Sequence, residues 1–185
     1  GSEMCIRDSN QTVSDSKNHH PGIDNRGPFL AMNPFSSRCC QHNHAQGWPY
    51  YAEHLILATP DNGVAAAMYA ACKATVKVGD GNEITLHEQT NYPFEETIRF
   101  TVNTPKAVSF PFYLRIPSWT EGATIFVNGK KVAANPEAGQ YACINREWKD
   151  NDQVEIQLPM QLSMRTWQVN KNSVSVDYGP VSYTH

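Results

Sequence analysis

The chain has 185 residues, enough for one domain or a small domain with part of another. Its composition, 40% hydrophobic and 18% charged, is that of a globular protein rather than a disordered or fibrous one. A formal charge of -3 and a pI near 6.2 leave no basic footprint, and no apolar run approaches the ~18 residues that span a bilayer, so neither nucleic acid nor a membrane is an expected partner.

Residues 1–37 are polar and interrupted by Pro21, Gly22, Gly27, Pro28 and Pro34, with neither helical nor strand periodicity, and read as irregular or disordered. Residues 1–9, with "EMCIRDS", and 181–185, "VSYTH", resemble translated adaptor sequence at the ends of metagenomic reading frames. Both are expected to be foreign to the fold.

Residues 38–62 form the next block. Pro49 suits a first helical turn, and Tyr50, Tyr51, His54, Leu55 and Leu57 are spaced for one buried helical face. Thr59-Pro60-Asp61-Asn62-Gly63 ends the helix, because a residue before proline avoids the α region and Asn-Gly is turn chemistry. The expectation is one short helix preceded by a loop that carries Cys39 and Cys40.

From residue 63 the pattern becomes that of strands. An apolar run covers 64–70, and 74–78 and 83–89 alternate around Gly79-Asp80-Gly81-Asn82, a hairpin signal. Further strands are expected at 97–102, 108–116, 124–127, 131–133, 141–145, 153–158, 162–167 and 173–177, with Asn128-Gly129 as a second hairpin turn. About ten short, regularly spaced strands with almost no helix argue for a mainly β protein, a two-sheet β-sandwich of jelly-roll type over 63–180.

Chemistry concentrates in the cysteines. There are five, an odd number, and Cys5, Cys72 and Cys143 stand too far apart for a disulfide framework. Cys72 and Cys143, alone on apolar strands, read as structural thiols. Cys39 and Cys40 are adjacent, with His42 and His44 close behind; thiolates bind zinc, and a bound metal keeps them deprotonated near neutral pH. Zinc fingers favour Cys-x2-4-Cys spacing, however, so spacing alone leaves two packed thiols open beside a metal site. Glu3-x-Cys5 falls in the adaptor-like segment and is set aside as a ligand pair. His19-His20 reads as solvated surface. Glu95-Glu96 and Asp150/Asp152 are neighbours in sequence whose side chains are expected to point apart, whereas a glycosidase pair needs a fixed separation across a sugar. Trp48, Trp119, Trp148 and Trp167 could stack on sugars, though tryptophan in a sandwich more commonly fills the core.

Taken together, "RCCQHN", "GWPYYAEHL", "ATPDNGVAAAMYA", "FPFYLRIPSW", "VNGKKV", "REWKDNDQVEIQLPM" and "DYGP" resemble, in family order, the β-L-arabinofuranosidases of glycoside hydrolase family 127. The resemblance implies an (α/α)6 catalytic barrel followed by β-sandwich domains. Residues 1–37 and the block 38–62 would then be what this chain carries of the barrel's end, and 63–180 the sandwich behind it. It implies a zinc ion held by a glutamate and three cysteines. Cys39 would be nucleophile and zinc ligand, Cys40 a second ligand, and Asn43, with His42 beside it, would order the loop or touch substrate. Zinc would lower the thiol pKa, and attack by the thiolate on the anomeric carbon would give net retention. Gln41-His42 stand where Pro-Pro is more usual, which leaves sugar specificity open. The remaining zinc ligands and the acid/base carboxylate are expected upstream of this chain, so the chain alone should hold zinc poorly and hydrolyse nothing. The implied partner is an arabinose-containing glycan; the competing reading is a non-catalytic carbohydrate-binding or interaction module.

Overall fold

A computed structural model describes residues 40–134 and 136–184, with side chains from residue 47 onward except at 170, 183 and 184. The chain divides into two units, one ending at Glu53 and one beginning at His54.

In the first unit the described element is a helix, α1 (Cys40–Glu53). It starts nine residues before Pro49 and takes in the segment read as a loop. Residues 41–46 contain no helix breaker, so nothing local stops the helix from reaching back to Cys40. Pro49 therefore lies inside α1 rather than in its first turn. It has no N–H for the carbonyl four residues back, an arrangement that costs about 3 kcal/mol in a regular helix. The expected buried face does not form on this helix: Tyr50 is 66% exposed, and the apolar residues after Glu53 leave the helix altogether.

Those residues open the second unit as β1 (Ile56–Ala58), which pairs antiparallel with β2 (Val64–Ala66) through Ile56↔Ala66. The Thr59–Gly63 turn closes the hairpin with Asn62 N–H to Thr59 O and Thr59 N–H to Gly63 O. Gly63 is required there because a Cβ would collide with the carbonyl oxygen and ring of Pro111. β2 runs parallel to β6 (Val108–Arg115), which pairs antiparallel with β9 (Tyr141–Trp148), completing a four-stranded sheet β1-β2-β6-β9. Pro111 sits one residue before the stretch of β6 that pairs with β2, where its missing N–H breaks no ladder bond on that side.

The second sheet has six strands in the order β3-β4-β5-β10-β7-β8: β3 (Cys72–Val78), β4 (Asn82–Thr90), β5 (Thr97–Asn103), β7 (Thr124–Val127), β8 (Lys130–Lys131) and β10 (Asp152–Gln157). Both expected hairpin turns are present. Gly79 and Gly81 take positive φ between β3 and β4, and Asn128 and Gly129 do so between β7 and β8 (φ 50° and 75°). Two successive positive φ values match the right-handed twist of the strands they join.

The two sheets face each other across one core. Strand alternation sends Ile84 and Leu86, Ile98, Phe100 and Val102, and Val154 and Ile156 inward from one sheet, and Phe110, Phe112, Leu114, Ile144 and Trp148 from the other. Phe100 meets Phe112 edge to face at 5.3 Å, and Trp148 covers Phe110 while giving its Nε1–H to Phe110 O at 3.0 Å. The expected mainly β sandwich with a short preceding helix is the observed architecture.

A third sheet follows: β11 (Leu162–Trp167), β12 (Ser173–Tyr178) and β13 (Val181–Thr184), all antiparallel, with a 3₁₀ turn at Gln168–Asn170. The C-terminal segment, expected to be foreign, hydrogen-bonds β12 through Tyr178↔Val181 and Asp177↔Ser182. Residues 1–9, its N-terminal counterpart, lie outside the described residues.

Candidate functional site

The cysteine element sits at the start of α1. Cys39 lies outside the described residues; Cys40 is the first helical residue, and His42 and Asn43 occupy its first turn, with the side chains of all three outside the described set. The helical register sets Cys40, Asn43 and Gly47 along one stripe. Among the described residues no group of three or more His, Cys, Asp or Glu side chains converges, so the described part of the chain does not by itself make a zinc site.

In the sandwich unit, most carboxylates singled out by sequence hold the fold. Asp150 caps the strand ends by accepting Thr104 N–H at 3.1 Å and Asn103 Nδ2. Asp152 accepts Lys149 N–H and Asn128 Nδ2 and stands 3.6 Å from Arg146. Glu95 takes Asn91 Nδ2, and Glu96 takes Met160 N–H at 2.7 Å. The two pairs diverge, as expected of sequence neighbours. Trp148 is fully buried core, Trp119 is half-buried against it, and Trp167 and Trp48 are exposed. Cys143 is exposed rather than buried, because β9 alternates and residue 143 falls on its outward phase with Tyr141 and Asn145.

Two clusters were not singled out from sequence. Tyr113 donates to Asp61 Oδ2 at 2.5 Å, and Thr59 donates to Asp61 Oδ1. The Thr59 and Tyr113 hydroxyls hold the Asp61 carboxyl below its usual range, and Asp61 in turn pushes the Tyr113 phenol upward. This cluster ties the Thr59–Gly63 turn to the outer face of the four-stranded sheet.

The second cluster centres on Glu88, only 1% exposed. It occupies the inward phase of β4 after Ile84 and Leu86, a place for an apolar side chain. Its Oε1 accepts Ala70 N–H at 3.0 Å, and the Cys72 thiol points at Oε2 from 3.7 Å. Burial raises the Glu88 pKa to about 8 against the hydrogen bonds from Cys72 and Ala70, and burial together with the Glu88 charge raises the Cys72 thiol to about 11. A protonated carboxyl and a protonated thiol at neutral pH form a poor nucleophile but a serviceable clamp on the segment joining β2 to β3. The signal was in the sequence: a carboxylate in phase with two apolar neighbours on a strand.

The strings "FPFYLRIPSW" and "VNGKKV" both lie within the stretch that a comparison against family models matches. Residues 63–160 match the β-L-arabinofuranosidase, GH127 middle domain. The chain belongs to this family. Among solved structures, a GH127 β-L-arabinofuranosidase from Geobacillus stearothermophilus T6 is 30% identical with a TM-score of 0.72, over 80% of this chain and 24% of that one. A protein described as a glycoside hydrolase is 28% identical at TM-score 0.62, over 87% of this chain and 26% of its own. A GH127 β-arabinofuranosidase is 25% identical at TM-score 0.70, over 81% of this chain and 26% of its own. The chain thus spans about a quarter of the length of these relatives. A sequence search of curated proteins returns no match. The GH127 middle-domain match covers the sandwich and stops at Met160, short of the third sheet.

Proposed function

We propose that this chain is part of a retaining glycoside hydrolase acting on β-L-arabinofuranosides or related plant glycans, with Cys39 as nucleophile. The observation that carries the reading is GH127 membership over the sandwich, together with an adjacent Cys39-Cys40 pair just ahead of it in sequence. Two of the matched structures are described as arabinofuranosidases, which supports an arabinose-containing glycan as substrate.

In this proposal Cys39 and Cys40 are zinc ligands, and Asn43 and His42 lie where the sugar or the ordering of the loop would involve them. Thiolates are suitable zinc donors, and zinc when bound would keep these thiols deprotonated near neutral pH. The Cys39 thiolate would attack the anomeric carbon opposite the departing oxygen, and water entering from the face the leaving group vacated would then displace the sulfur, two inversions that give net retention. A carboxylic acid from elsewhere in the intact enzyme would protonate the leaving oxygen and then activate that water. Within the described sandwich, the carboxyl raised furthest, Glu88, is buried and committed to Ala70 and Cys72.

Incubation of the isolated chain with 4-nitrophenyl β-L-arabinofuranoside tests the division of labour. No release of nitrophenol is expected, and measurable turnover would show that the chain needs no partner for catalysis. In the intact enzyme containing this sequence, Cys39→Ser is expected to lower kcat by on the order of a thousandfold or more.

A further inference from the structure

The connector from β2 to β3 carries the chain from one sheet of the sandwich to the other, and hydrogen bonds pin it along its length. Ala67 N–H and Met68 N–H go to Leu55 O, and buried Tyr69 gives its hydroxyl to Arg115 O at 2.6 Å. Those pins are neutral. At the far end Ala70 N–H goes to Glu88 Oε1 at 3.0 Å, and Cys72, the first residue of β3, is the register partner of Glu88. This last pin is a carboxyl, and its charge can change.

Nothing around Glu88 offsets a negative charge. It is buried, and among the described residues it forms no ion pair. The titratable groups facing it are the Cys72 thiol from β3 and the Tyr69 phenol from the connector, both neutral. Its partner on β5 is Phe100, and the inward residues of β6 across the core, Phe112 and Leu114, are apolar. Lys73, His87 and Arg99 sit one residue out of phase on β3, β4 and β5 and turn to the outer face. An ionised carboxylate accepts about four hydrogen bonds, whereas this one has an N–H and a weakly donating thiol at 3.7 Å. The closed site therefore favours the proton, and burial lifts the carboxyl from 4.5 to about 8.

The same corner is cheap to open. β3 is the outermost strand of its sheet, and the Cys72 thiol at its start is only half-buried. A groove of about 700 Å3 runs beside it, bordered by Cys72, Glu88, Lys73, His87 and Asn91. A strand end at a sheet edge opens locally for far less free energy than the whole fold requires.

We propose that Glu88 is a proton-operated latch on this crossover: protonated, it holds residues 70–72 closed, and ionised, it lets them open and bares the Cys72 thiol. In the open state the carboxyl is hydrated and returns to its ordinary value, so opening releases a proton. Opening is therefore most suppressed below about pH 4.5, rises as the pH climbs toward 8, and levels off above it. The latch makes Cys72 a thiol whose exposure follows pH, independently of any role for Cys39.

The test is iodoacetamide labelling of the full 185-residue chain from pH 6 to pH 9, read at Cys72 by peptide mass spectrometry. Each rate is divided by that of a synthetic peptide of residues 68–76 at the same pH, which removes the thiol's own pH dependence. Protection of Cys72 is expected to fall at least about tenfold between pH 6 and pH 8 and to level off by pH 9. Hydrogen exchange at the Ala70 amide, corrected for intrinsic rates, should follow the same course, while β6 amides stay better protected at every pH. Glu88→Gln keeps an acceptor for Ala70 N–H and cannot ionise, so its Cys72 protection should not vary with pH. The exchange measurement needs no variant and decides the matter even where Glu88→Gln fails to fold. A flat profile in the parent, the parent's slope retained in Glu88→Gln, or equal protection at Ala70 and in β6 would each overturn the proposal.

Discussion

Glu88 shows how one side chain can set a pH dependence for the whole fold. Its folded pKa of about 8 lies above that of an exposed glutamate near 4.5, so between those values the folded state holds a proton that the unfolded state has lost. The stability it allows is full below about pH 4.5, declines as pH rises through the window, and is lost above about 8. Thermal melts of the chain from pH 5 to pH 9 are expected to show this decline, on the order of a few kcal/mol. Glu88→Gln should flatten it; an unchanged slope would mean that the carboxyl is not the source. At Trp148, fully buried and bonded to Phe110 O, truncation to alanine should cost about 3–5 kcal/mol in a denaturant titration. Gly63→Ala should also destabilise, because its Cβ has no room against Pro111. Sequence alone foretold a core role for tryptophan without saying which one. What singles out Trp148 is its place at the inward end of β9, and what leaves Trp119 half-buried is its place in a turn.

Among the elements, strands were far more legible than the helix. Period-two alternation and glycine-rich turns mark β3 through β12 within a few residues, because each strand buries one face and each hairpin demands special φ values. The Asn128-Gly129 turn is a case in point: Asn128 takes part in bonds to Asp152 and Gln153 while Gly129 holds φ +75°. Gly129→Val is expected to cost about 1–3 kcal/mol, read as a lowered melting temperature, while Asp80→Ala in the neighbouring hairpin should change little. The start of α1 was misjudged because proline looks like a helix start, and sequence carries no mark distinguishing that from proline inside a helix. Strand β1 was missed for a related reason. Three residues, Ile56–Ala58, are too short to show a period and become a strand only by pairing with β2. The arrangement of the third sheet, with its apolar residues exposed and Ser175 buried on the polar face, could not be read from alternation, which separates two faces without saying which one is turned inward.

For the whole molecule, the division at Glu53 places the cysteine element in the first unit, whose described element is α1, and the hydrophobic core in the second. The sandwich should therefore fold whether or not the thiols are present: Cys39→Ser and Cys40→Ser in the isolated chain are expected to leave its melting temperature within about 1–2 °C of the parent. The family resemblance carried by short strings of sequence proved sound across the sandwich, where residues 63–160 match the GH127 middle domain. The roles proposed for Cys39, Cys40, His42 and Asn43 rest on sequence and on the family match. The measurement that bears most directly on them is mass spectrometry of the intact enzyme containing this sequence, trapped by acid quench during turnover of an activated β-L-arabinofuranoside. The account predicts a pentosyl adduct on the peptide bearing Cys39, absent in Cys39→Ser. An adduct on a carboxylate, or full activity in Cys39→Ser, would contradict it.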